Sequence, residues 1–86
     1  MNKKQKGTLK GIFTDPVRAN FAWHDVESLL IALGAKLTEA RGSRVGVVLN
    51  DRKAVLHRPH PRKELRKGMV RGLRGFLIDA GIQPPD

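Results

Sequence analysis

Apolar positions fall into two helical stripes with alternating stretches between them. Trp23, Val26, Leu29, Leu30 and Leu33 recur at spacings of three and four, which places them on one face of a helix. Asp25 and Glu27 lie in its first turn, where the helix dipole favours acids, and Gly34 follows the last periodic residue as a cap. Met69, Val70, Leu73, Phe76, Leu77 and Ala80 form a second stripe, in a helix predicted from about Leu65. Arg71, Arg74 and Asp79 lie on its other side, Gly81 caps it, and Pro84-Pro85 forbids an extension. Between the stripes, residues 35–40 read as a strand and Arg41-Gly42-Ser43 as a turn. Residues 44–49 alternate cleanly, and residues 54–57 return as a third strand. Arg58-Pro59-His60-Pro61 is irregular, because two prolines remove two backbone donors.

The start of the chain is read differently. Residues 1–7 are expected to form a flexible basic arm. Thr8 then caps a short turn carrying Leu9, Ile12 and Phe13, weakened by Gly11 and stopped by Asp15-Pro16. The expected layout is an arm over 1–12, one domain over 13–83 and a tail over 84–86. The element order helix, strand, strand, strand, helix predicts an α+β domain. Its simplest packing is a three-stranded antiparallel sheet with both helices on one face, so that each element buries one apolar side.

Strand parity gives a sharper expectation. Asn50-Asp51 is good hairpin chemistry. With a two-residue loop there, Leu49 faces Arg52 and Arg44 faces His57. With a four-residue loop over 50–53, His57 faces Gly46, diagonal to Arg44. Either register puts Val45, Val47, Leu49, Ala54 and Leu56 on one face, and Arg44, Gly46, Val48, Val55 and His57 on the other. The first set is the core face. Arg44 and His57 then become neighbours on the open face, with β-carbons roughly 4.5–8 Å apart.

Composition narrows the function. The 86 residues carry 17 Lys and Arg against 8 Asp and Glu, a net charge of +9. Residues 41–78 hold eleven basic residues against Asp51 and Glu64, whereas 13–40 are mildly acidic. The partner this favours is a polyanion, gripped by the second half of the chain. Arg41, Ser43, Arg52, Lys53, Arg58, Arg62, Lys63, Arg66, Lys67, Arg71 and Arg74 are the candidate nucleic-acid-binding residues. A solvated charged face is the plainer reading of such a run, but the imbalance over 41–78 favours phosphate contact. Cysteine is absent, which excludes disulfides, zinc–thiolate sites, iron–sulfur clusters and a cysteine nucleophile. Three scattered histidines make no metal site, and no glycine-rich loop opens a helix for nucleotide hydrolysis, so no cofactor is expected. No apolar run approaches membrane-spanning length, and Met-Asn-Lys-Lys begins no secretory signal, so neither a membrane partner nor export is expected.

Trp23-His24-Asp25-Val26-Glu27-Ser28-Leu29-Leu30, Leu33-Gly34-Ala35, Gly42-Ser43, Arg58-Pro59-His60-Pro61, Lys63-Glu64-Leu65, Lys67-Gly68, and Phe76-Leu77 with Ala80-Gly81-Ile82 stand in a telling order. Over residues 23–82 this series resembles the HicA toxins, the ribonuclease halves of bacterial type II toxin–antitoxin systems. Leu9, Ile12-Phe13 and Pro16 resemble the leader of one branch, so about 70 of the 86 residues are covered. The resemblance implies an α-β-β-β-α fold like a double-stranded-RNA-binding domain. It further implies a cytoplasmic, metal-independent endoribonuclease acting on mRNA, with a HicB antitoxin as partner. The family's catalytic His directly follows Gly-Ser at the start of the second strand.

In this chain that position is Arg44. One reading moves the chemistry to His57: an imidazole can serve as general base on a 2′-hydroxyl while Arg44 steadies phosphorane charge. A second makes Arg44 a phosphate ligand in a chain that grips RNA as a non-catalytic module. A third gives the chemistry to His60 in the Pro-His-Pro loop. Plainer roles stand beside these: His57 as an exposed strand residue, His60 orienting its turn, His24 facing solvent, and Trp23 in the core rather than stacked on a base. A further reading is an interaction protein whose basic face docks an acidic antitoxin, with strongly salt-dependent binding.

Overall fold

The computed structural model describes residues 1–59 and 63–85. Its elements are α1 (Lys3–Ile12), β1 (Phe21–Ala22), α2 (Trp23–Ala32), β2 (Lys36–Glu39), β3 (Arg44–Leu49), β4 (Arg52–His57), β5 (Glu64–Leu65) and α3 (Lys67–Asp79). The fold is α+β: three helices, a three-stranded antiparallel sheet ordered β2-β3-β4, and a small ribbon of β1 with β5.

The central pattern matches the expectation. Leu29, Leu30, Val26 and Trp23 of α2 meet Val70, Leu73 and Leu77 of α3 in one buried cluster with Val45, Val47, Leu49 and Leu56 of the sheet. Both helices therefore cover the same sheet face. The opposite face is open: Val48 and Val55 remain 37% and 57% exposed. Gly34 (φ +96°) ends α2, and the Ala35 amide returns to the Leu30 carbonyl at 2.9 Å. Only a residue without a β-carbon takes that conformation freely. Asn50 (φ +49°) and Asp51 (φ +66°) form the two-residue turn, with Leu49 opposite Arg52 and Arg44 opposite His57. Two positive φ values suit the right-handed twist of a hairpin.

The start of the chain corrects the expectation of a flexible arm. Residues 3–12 form α1. Asn2 and Gln5 make a reciprocal capping box, each side chain accepting the other's backbone N–H at 2.8 Å. Thr8, Leu9 and Ile12 are buried, and α1 lies across α2 and α3. Gln5 Nε2 also donates to Ser28 Oγ at 3.0 Å, fixing α1 to α2. Burial of Leu9 and Ile12 outweighs the low helix propensity of Gly7 and Gly11.

The ribbon is the second addition to the expected order. Phe21 pairs with Leu65 and Ala22 with Glu64. Leu65 is buried within the core, so α3 begins at Lys67 rather than at Leu65. Among the described residues, no helix is long and apolar enough to cross a membrane.

Candidate nucleic-acid interface

The hairpin places Arg44 and His57 directly opposite one another, both exposed. The next pair outward, Ser43 and Arg58, is hydrogen-bonded: the Arg58 amide donates to the Ser43 carbonyl at 2.8 Å. The Arg44 carbonyl turns to the other neighbour and accepts from the Ala40 amide at 3.0 Å. Antiparallel pairs alternate, so Arg44 and His57 form a non-hydrogen-bonded pair, the type whose side chains stand closest. Arg44 Nε donates to the Arg41 carbonyl at 3.3 Å, which fixes part of the guanidinium.

Lys53 shares this open face, opposite Val48. Arg41 and Ser43 are exposed in the turn before β3. Arg52 is exposed too, but it pairs with Leu49 and so has the parity of the core face. Lys63, Arg66, Lys67 and Arg71 are exposed along β5 and α3. His57 joins the two regions. It lines a groove between β4 and α3 together with Val55, Met69, Gly72 and Phe76. His60 and Arg62 lie outside the described residues.

Two expected phosphate ligands are engaged within the chain. Arg74 is a correction. Its Nε, Nη1 and Nη2 donate to the Ile12 carbonyl, Asp15 Oδ1 and the Thr14 carbonyl at 2.8, 2.8 and 2.7 Å. With its side chain 18% exposed, Arg74 closes the end of α1 instead of facing solvent. Arg58 forms a two-pronged pair with Glu39: Nη1 donates to Oε2 at 2.9 Å and Nη2 to Oε1. The hydrogen bond from Arg58 holds the Glu39 carboxyl below its ordinary pKa. The pair ties the end of β2 to the residue that follows His57.

Trp23 is a core residue, only 9% exposed, and His24 is solvent-facing. One feature had no signal in the sequence. Ala22, Trp23, Ser43, Arg58, Pro59 and Lys63 line a cavity of about 560 Å³ at the end of the sheet beside the Arg44–His57 row. One wall comes from β1, whose two residues are too few to show a period.

The family model described as HicA toxin of bacterial toxin-antitoxin matches residues 23–82. No curated protein and no solved structure matched the chain. The matched span begins at the first residue of α2 and runs past the end of α3, so it contains the whole three-stranded sheet and the Arg44–His57 row. A match over that much of the chain places it in a family: this protein belongs to the HicA toxins of bacterial toxin–antitoxin systems.

Proposed function

We propose that this HicA toxin binds RNA through its open sheet face and the exposed cations of α3, and cleaves it without a metal. The observation that carries the reading is the close cross-strand pair of Arg44 and His57 on an exposed, basic surface. A neutral imidazole takes the proton of a 2′-hydroxyl, and the freed oxygen attacks the adjacent phosphorus. The bond from phosphorus to the 5′-oxygen breaks, that oxygen takes up a proton from water, and the imidazolium returns its own proton to the solvent. The products are a cyclic phosphate and a free 5′-hydroxyl. Arg44 stands where charge builds on the non-bridging oxygens. Arg41, Ser43, Lys53, Lys63, Arg66, Lys67 and Arg71 grip the phosphates. A HicB antitoxin is the partner that family membership implies, and the same basic surface suits an inhibitor that covers it.

The test is RNA cleavage by the purified chain in EDTA, beside Arg44→Ala, His57→Ala and His60→Ala. Loss of cleavage with His57→Ala and its survival with His60→Ala supports the reading. The alternative is a non-catalytic RNA-binding module, favoured by an arginine standing where the family's catalytic His is expected. Intact RNA that is nonetheless bound with a steep salt dependence decides for that alternative.

A further inference from the structure

We infer that the cavity at the end of the sheet is a nucleobase subsite, holding one base of the strand whose phosphate lies at Arg44 and His57. The inference rests on the RNA-binding reading above and adds to it a place where a base, not only the backbone, is recognised.

Position is the first argument. Ser43 and Arg58 line the cavity, and they are the chain neighbours of Arg44 and His57. Their own backbones are joined by the 2.8 Å hydrogen bond from Arg58 to Ser43. The cavity therefore begins one residue row beyond the proposed reacting phosphate, within the reach of an adjacent nucleotide.

Shape and chemistry agree. A volume of about 560 Å³ lies within the roughly 300–1,000 Å³ of small-molecule sites. Trp23 and Pro59 supply apolar walls, as a flat base requires. The Ser43 hydroxyl is a donor and acceptor at the rim, and Lys63 is a cation for the attached phosphate. Arg58 is held by Glu39, so it serves as wall and not as a free cation. The α2 helix starts at this cavity with no side-chain cap at Ala22. The Trp23 amide donates to the Lys63 carbonyl at 2.9 Å, tying the start of α2 to the residue before β5. Since Trp23 is only 9% exposed, a bound base touches part of the indole and is not sandwiched against it. The expected gain is accordingly near the low end of base–aromatic contacts, roughly 10-fold in affinity.

Trp23 is the chain's single tryptophan, so its fluorescence reports the site directly. The full chain is titrated with a short single-stranded oligoribonucleotide and with the same oligonucleotide carrying abasic positions. A nucleoside monophosphate and ribose 5-phosphate serve as minimal probes. The inference expects a saturable fluorescence change with the base-bearing probes only, and an affinity roughly 10-fold weaker for the abasic strand. Pro59→Ala, which removes a wall, and Ala22→Leu, which fills the cavity, should erase that difference while binding to the abasic strand persists. If either variant fails to fold, the comparison of probes on the wild-type chain still decides. Equal affinity for both strands with an unchanged Trp23 signal overturns the subsite and leaves RNA binding standing. Absence of binding to every strand at low salt overturns the functional reading itself.

Discussion

Arg74 Nε donates to the Ile12 carbonyl at 2.8 Å, joining two residues 62 apart in the chain. The same guanidinium also takes the Thr14 carbonyl at 2.7 Å. These carbonyls belong to the end of α1, where no intrahelical donor is left for them. Arg74→Ala is expected to destabilise the fold by about 2 kcal/mol, because charged hydrogen bonds to partly buried carbonyls are lost. The contact with the exposed Asp15 adds little. Arg71→Ala should behave in the opposite way, leaving the urea midpoint unchanged and flattening the salt dependence of RNA binding by about one charge. Equal midpoints for the two variants would refute the assignment.

Asn50 does two things at the β3–β4 turn. It holds φ at +49°, and its Nδ2 donates to the Ala80 carbonyl at 2.8 Å, joining the turn to the end of α3. Asn50→Gly keeps the backbone and loses the hydrogen bond, an expected cost of about 1 kcal/mol. Asn50→Ala loses both, an expected cost of about 2 kcal/mol. Chemical denaturation of the two variants measures the difference, and alanine matching glycine would show that the backbone conformation is relaxed.

Gly11 packs where a side chain does not fit. A β-carbon there would come within 2.7 Å of Phe21 Cε1. Gly11→Ala is expected to cost about 1–2 kcal/mol despite its better helix propensity. At Gly7, in the same helix, a β-carbon meets nothing within 4 Å. Gly7→Ala should therefore stabilise by about 0.5–1 kcal/mol. Thermal melts of the pair check the sign at each position.

The Glu39–Arg58 pair makes a prediction about pH. The folded-state pKa of Glu39 lies below its ordinary value. Its contribution is thus present above the normal carboxylate range and is lost as pH falls through the lowered pKa. In Arg58→Ala the Glu39 carboxyl should titrate at higher pH, as read by carboxyl NMR. The stability gap between variant and wild type should close on acidification. An unmoved Glu39 titration would show that the pair does not persist in solution.

The sheet and its two covering helices were legible from periodicity alone. Val45, Val47 and Leu49 alternate over a full strand, and Asn50-Asp51 leaves few choices of turn. Parity put Arg44 and His57 on one face, and the two-residue turn, one of two loops the sequence allows, sets them directly opposite one another. The first helix reads from the sequence only as a basic arm and a short turn carrying Leu9 and Ile12, because Lys-rich sequence with Gly7 and Gly11 argues against a longer helix. The further signal in the sequence is the capping pair, Asn2 followed three residues later by Gln5. The β1–β5 ribbon left no trace, since two residues carry no period. The engagement of Arg74 was hidden for a different reason. On a helical wheel it sits at the polar border of the apolar stripe, and only the end of α1 laid beside α3 supplies carbonyls to accept its hydrogen bonds.

Leu9 and Ile12 lie near one end of the chain and Leu73, Leu77 and Ala80 near the other, yet all five share one buried cluster. During synthesis that cluster cannot close until α3 has left the ribosome. A nascent chain holding only the sheet and the first two helices exposes the apolar faces that α3 later covers, and the end of α1 waits for Arg74. The core of this fold is therefore completed by its last helix. Without α3 the apolar faces of the sheet and of the first two helices stay exposed to water.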